Sequence, residues 1–121
     1  MSAFSHVGRI GPQEIWPGLT GRTVHGDRVT LSLIELEPGI DVPGHAHDNE
    51  QVGILLEGSL TFRIGEETRE LAPGDTWVIR TDVPHSVTSG PGGAVLVEVF
   101  SPPREDWQLR PTDAARPGRW P

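Results

Sequence analysis

The sequence predicts an antiparallel β-sandwich or barrel. Three observations carry that reading. Apolar runs of strand length recur along the chain, turn residues punctuate them, and no stretch carries the apolar stripe of a helix. A chain of 121 residues buries roughly 65% of its unfolded surface on folding, enough for one core and not for two. Fifteen glycines and twelve prolines fall a little short of a disordered composition, and the regular apolar spacing argues for order.

In chain order, residues 1–28 are rich in Gly and Pro, with Ile10, Ile15, Trp16 and Val24 as scattered anchors. They predict an N-terminal arm with short strands. His6 and His25 lie there without a partner at ligand spacing and read as surface or turn residues. Residues 29–100 make the barrel. Val29 to Glu37 alternates Val29, Leu31 and Leu33 with Thr30 and Ser32 and slips phase at Ile34, which predicts a strand with a bulge, closed by Pro38-Gly39. Val52 to Leu56 and Leu60 to Ile64 predict two short strands joined through Glu57-Gly58-Ser59. Gly65-Glu66-Glu67 and Pro73-Gly74-Asp75 are further turns. Thr76 to Ile79 is a strand with Trp77 and Ile79 on one face and Val78 on the other, and its periodicity does not choose the inner face. Gly90 to Gly93 predicts a flexible turn, and Ala94 to Phe100 a closing strand that opposes Val95, Val97 and Val99 to Leu96, Glu98 and Phe100. In the tail, residues 101–121, one helical turn is expected near Arg104 to Trp107, with a frayed end from Pro111 onward.

Composition excludes several function classes. With no cysteine, any metal must sit on imidazole and oxygen ligands. A net charge of −7 argues against nucleic acid, whose phosphates need a basic face. No apolar run approaches the roughly 20 residues of a membrane span, and MSAFSHVGRI lacks the features of a signal peptide, so a cytoplasmic location and no membrane partner are expected.

The chemistry concentrates in GIDVPGHAHDNEQVGILLEG, Gly39 to Gly58. Side chains of an extended segment alternate faces, so His45 and His47 point the same way and make half a metal site. Asp48 and Asn49 then bend the chain, after which Gln51 can turn its amide oxygen to the same point, with Glu50 as the competing oxygen ligand. This stretch resembles the first motif of the cupin superfamily, with Gly39, His45, His47 and Gly58 in register and Gln51 where most cupins carry Glu. Gly74 with His85 is similar to the second motif, although Arg80, Asp82 and Ser89 replace its usual Pro, Gly and Asn. The resemblance implies a single-domain jelly-roll barrel, a homodimer, and one divalent metal on His45, His47, Gln51 and His85. Pro84 holds Val83 extended and helps to aim His85. Such a set is neutral and leaves the ion its full charge, which suits Lewis-acid work, with Zn or Ni favoured over Fe, Mn or Cu. A metal-free cupin that keeps its histidines is the plainer alternative.

A second cluster follows in Glu98, Phe100 and Arg104. Either Glu98 faces inward as an acid/base group, with Arg104 fixing an anionic substrate, or Glu98 faces solvent and Arg104 pairs with Glu105 or Asp106 on the surface. Together the two clusters resemble the KdgF-type cupins of pectin degradation. That resemblance implies metal-assisted ketonisation of unsaturated uronates, with Glu98, Phe100 and Arg104 functional and Glu98 standing where Asp is expected. Small cupins of the polyketide cyclase type are the second reading, which Trp16 and Trp77 would suit if they line the mouth, and a non-catalytic small-molecule-binding cupin is the third.

Overall fold

Two long strands, β5 (Glu50–Ile64) and β8 (His85–Ser101), run antiparallel along nearly their whole length and organise the molecule. The computed structural model describes residues 2–121. Partway along, the register of the pair slips between Leu55 and Glu57 and again between Gly58 and Leu60, and the strands pass from one layer into another. In the first layer the order is β1 (Gln13–Trp16), β2 (Leu19–His25), β3 (Thr30–Leu36), the second half of β8, the first half of β5, and β7 (Thr76–Ile79). In the second, β4 (Asp41–His45) pairs with the first half of β8, which pairs with the second half of β5 and so with β6 (Glu67–Leu71). The result is the jelly-roll of the sequence prediction, with a short α1 (Glu105–Gln108) and hydrogen bonding that does not close into a ring.

Both expected turns inside these strands are bends instead. At Glu57-Gly58-Ser59 the chain does not reverse, because Gly58 adopts a φ of 82° and lies against Gly93, itself at 69°. A Cβ on Gly58 would stand 2.0 Å from the Gly93 carbonyl oxygen. Glycine serves a bulge as well as a reverse turn, and only the partner strand decides between them.

The inner face of each strand is also now fixed. β3 carries no bulge: its registers with β2 and β8 run unbroken. The sequence loses its period because Leu33 and Ile34 are both buried, one on each face. Thr30, Ser32, Ile34 and Leu36 face inward, while Leu31 is exposed with neighbouring Val29. Ser32 Oγ lies 2.8 Å from Thr23 Oγ1, and Thr30 Oγ1 accepts from the Arg104 amide, so these hydroxyls enter the core satisfied. Trp77, Ile79, Leu96, Glu98 and Phe100 are likewise internal.

The end of the tail is held rather than frayed. The Asp113 amide donates to Pro12, the buried Arg22 guanidinium donates to the Arg116 carbonyl, and the Arg119 amide donates to Glu35 Oε1. Sequence periodicity cannot register such bonds, since they join residues far apart in the chain. Among the described residues no helix is long and apolar enough to cross a membrane.

Gly58→Ala is expected to destabilise the protein by roughly 2 kcal/mol or more, since it combines a left-handed backbone with a backbone clash. Urea unfolding measures this, and a wild-type midpoint would rule out the bend described for β5 and β8.

Candidate metal centre and cavity

Three histidines from separate places meet at one end of the barrel. The ladder between β4 and β8 sets His45 opposite His85, and the loop after β4 carries His47 back toward them. Ring centroids of His45 and His85 lie 4.2 Å apart, and those of His47 and His85 lie 5.0 Å apart. One nitrogen from each ring falls within 4.8 Å of the others. The turn before His85 is tied in by the Asp82 amide, which donates to the His47 carbonyl at 2.8 Å. Asp82 has a φ of 59°, so the position where the motif usually has glycine does take the left-handed conformation, here with an aspartate.

Hydrogen bonding fixes the tautomer of each ring. His45 Nδ1 lies 3.0 Å from the Pro43 carbonyl, His47 Nδ1 3.0 Å from that of Asn49, and His85 Nδ1 2.9 Å from that of Val83. A carbonyl oxygen can only accept, so all three Nδ1 atoms carry a proton, and in the neutral ring each Nε2 presents a lone pair. Gln51 Nε2 donates to Glu98 Oε2, which turns Gln51 Oε1 toward His47 Nε2 at 3.0 Å. With His47 neutral, two acceptors thus face each other with no hydrogen between them. His85 Nε2 is buried without a hydrogen-bond partner among the described residues. A cation answers both conditions, and a proton does so poorly. Burial first, then the neighbouring positive groups, hold the His85 pKa down from 6.5 to about 4, and burial and Arg104 also lower that of His47. The His45, His47 and His85 cluster could therefore hold a metal ion, and the donor set fits one.

Glu50 points away, exposed and 3.8 Å from the Arg80 guanidinium, so Gln51 is the oxygen donor that faces the cluster. Beside it Glu98 is 8% exposed and faces inward. Burial raises its pKa, opposed by hydrogen bonds from Gln51 and Trp77 and by the charge of Arg104. Trp77 Nε1 donates to Glu98 Oε2 at 3.0 Å, the same oxygen that Gln51 holds. Gly53 makes this possible: it pairs with both Trp77 and Glu98, and a Cβ there would stand 2.5 Å from the indole. Phe100 is fully buried and packs against His47.

Arg104 combines features of both sequence readings. Its side chain is 12% exposed and lines the cavity, yet its Nε and Nη2 donate to the two oxygens of Asp106 at 3.0 and 2.8 Å. The Arg104 hydrogen bonds and charge depress the Asp106 pKa. The guanidinium lies 4.1 Å from the Trp107 ring centroid and 4.9 Å from that of Phe100. The cavity itself measures about 420 Å³, bounded by His45, His85, Gln51, Glu98 and Arg104 and by aliphatic side chains from β2, β3, β5 and β8. Trp16 stands at its rim, 40% exposed, whereas Trp77 belongs to the core. His6 accepts from the Gly8 amide and His25 bonds Thr30 Oγ1, which leaves both outside the site.

Sequence reasoning missed two supporting roles, those of Asn49 and Trp77, and set a third, the pairing of Asp106 with Arg104, on the surface. Asn49, read only as a turn former, is buried and donates to Pro102 while its carbonyl orients His47. Asp106 orients Arg104, and Trp77 orients Glu98. A polar residue beside a ligand motif is the signal for Asn49, and the acidic residues after Arg104 are the signal for Asp106; nothing local pointed to Trp77 as the partner of Glu98.

The lowered His85 pKa sets a pH dependence for the metal-free protein. Unfolded, this histidine takes a proton near pH 6.5; folded, it does so only near 4. The unfolded chain therefore binds more protons between those values, and stability falls as pH drops from 6.5 toward about 4, with His47 adding in the same direction. Urea midpoints measured across that window should show the decline, and His85→Gln should flatten part of it. An unchanged slope in the variant would contradict the assignment of His85 as a buried neutral imidazole.

Known proteins share this architecture. A cupin domain model matches residues 32–100. The chain is 28% identical over 97 residues to the pectin degradation protein KdgF of Dickeya dadantii (strain 3937), covering 78% of this chain and 88% of that protein. An RmlC-like cupin from Shewanella frigidimarina superposes with a TM-score of 0.82 at 26% identity, over 88% of this chain and 96% of the other. The polyketide cyclase RemF from Streptomyces resistomycificus superposes with a TM-score of 0.73, also at 26% identity, over 84% of this chain and 80% of the other. Matched by the domain model over more than half of its length, the chain belongs to the cupin family.

Proposed function

We propose that this cupin is a metal-dependent enzyme that enolises, ketonises or isomerises a small oxygenated substrate. One observation carries the proposal: three imidazole lone pairs and an amide oxygen are directed at one point beside a buried carboxylate. In it, His45, His47, His85 and Gln51 hold one divalent ion, Zn or Ni, and Glu98, Phe100 and Arg104 complete the site. Such an ion, when bound, supplies a Lewis acid that polarises a carbonyl or acidifies a substrate hydroxyl.

The chain's own residues do the rest. Glu98 has both donors on Oε2, which leaves Oε1 without a protein partner among the described residues to take and return a proton. Arg104 keeps Nη1 and part of Nη2 for an anionic group, with Asp106 setting the plane of the fork. Phe100 forms a dry wall between the guanidinium and His47.

Likeness to the pectin degradation protein, together with Arg104 inside the cavity, supports a sugar-acid-like substrate such as an unsaturated uronate. Trp16 at the rim and likeness to the polyketide cyclase support the second reading, enolisation of a poly-carbonyl chain before ring closure. We also propose a homodimer. Val24, Leu31, Val99, Val52 and Val78 form one cross-strand row on the outer face, largely exposed and free of charged side chains, which can pack against a second copy without burying a charge.

Elemental analysis of protein purified without a tag or added metal tests the centre. About one equivalent of Zn or Ni is expected, with His85→Ala losing it; under about a tenth, with none taken up on titration, would move the reading to a non-catalytic binding cupin. Gln51→Glu should keep the metal and lose turnover by about tenfold or more, because it sets a second carboxylate against Glu98. Unchanged turnover would refute the need for a neutral ligand. In sedimentation velocity the wild type should run as a dimer and Leu31→Asp as a monomer; a monomeric wild type would end the dimer proposal.

A further inference from the structure

Along the strands, the side chains lining the cavity change from polar to apolar. In the first layer, cross-strand rows run from Gln51 with Phe100, through Ser32 with Glu98, to Ile34 with Leu96 and then Leu36 with Leu19. The second layer runs in parallel, from His45 with His85, through Val42 and Val87 with Phe62, to Leu60. Both layers thus pass from charged and metal-ligating groups to hydrocarbon. Alternate residues of a strand lie about 6.7 Å apart, so the lining from Glu98 past Leu96 to the Leu36 row extends on the order of 13 Å beyond the carboxylate.

The strand rows of that stretch offer a ligand no hydrogen bond, although Trp16, which pairs with Leu19, and Arg110 also line the cavity. Along the rows the lining side chains are Leu19, Ile34, Leu36, Leu60, Val87 and Leu96. The buried hydroxyls nearby are already engaged, Ser32 with Thr23 and Ser89 with the Glu37 carbonyl and the Ile40 amide. A polyhydroxylated ring laid along these rows would lose its water and find no partner on them, whereas a hydrocarbon body would shed water at no such cost.

We infer that the ligand is an amphiphilic acid: an enolisable carbonyl compound with a carboxylate head for Arg104 and a hydrocarbon body, aromatic or aliphatic, along the Leu96 and Leu36 rows. This narrows the substrate class and rests on the proposed enzyme reading for what happens at the head. It departs from the sugar-acid expectation, because one arginine serves either head group while the aliphatic rows serve only one kind of body.

Calorimetric titration of the whole protein with two monocarboxylates, naphthalene-2-carboxylate and glucuronate, tests the inference, both zinc-loaded and after chelation. Naphthoate should bind at least about tenfold more tightly in both forms. Val87→Thr, which adds a hydroxyl to an aliphatic row at nearly constant volume, should weaken naphthoate about threefold or more while zinc stoichiometry is kept. Equal or tighter binding of glucuronate, or binding of neither acid, overturns the inference. Failure to bind zinc with the naphthoate preference intact would remove the metal reading and leave this one standing. Zinc binding with glucuronate preferred would do the reverse.

Discussion

Three hydrogen bonds from imidazole Nδ1 to main-chain carbonyls hold the candidate centre in its working state. Each is local, spanning two residues of chain, so each histidine brings its own orientation with it. Once Nδ1 is the donor, Nε2 of the neutral ring is a lone pair, and three such pairs repel unless something positive lies between them. Burial adds to this by disfavouring the protonated ring at His85 and His47. The barrel accepts an arrangement that is unfavourable in the empty protein and favourable around a cation.

Gln51 joins that centre to the rest of the cavity. Its amide has opposite ends, and Glu98 takes the donor end, so the acceptor end must face His47. Glu98 in turn is held by Trp77, which reaches it only because Gly53 has no side chain. A glutamate at position 51 would break the chain at its first link by opposing two carboxylates. The orientation of Gln51 and the buried Glu98 are thus one feature seen from two sides.

The strand-rich class and the cupin motifs were legible because they rest on local chemistry: alternating apolar residues, turn residues at intervals, and two histidines one residue apart. Faces were less legible. On β8 the three valines are the more apolar face by inspection, yet Glu98 and Phe100 point inward and Val97 and Val99 outward. An outer face that is itself apolar removes the contrast on which periodicity depends. Gly58 and Gly90 to Gly93 were legible as special backbone and not as bends, since the conformation is local and its consequence is not.

Local geometry set by the sequence alone therefore extends to the pairing of His45 with His47 and to the neutral charge of the candidate donors, while the left-handed turn at Asp82 came only with the structure. Long-range packing decided that Glu98 enters the core, that Asp106 claims half of Arg104, and that a hydrocarbon-lined cavity lies behind the polar groups. The division follows from reach. A side chain's chemistry and its backbone preference act over a few residues, whereas burial, and with it the pKa of Glu98 and the character of the cavity, depends on strands that meet only when the barrel is complete.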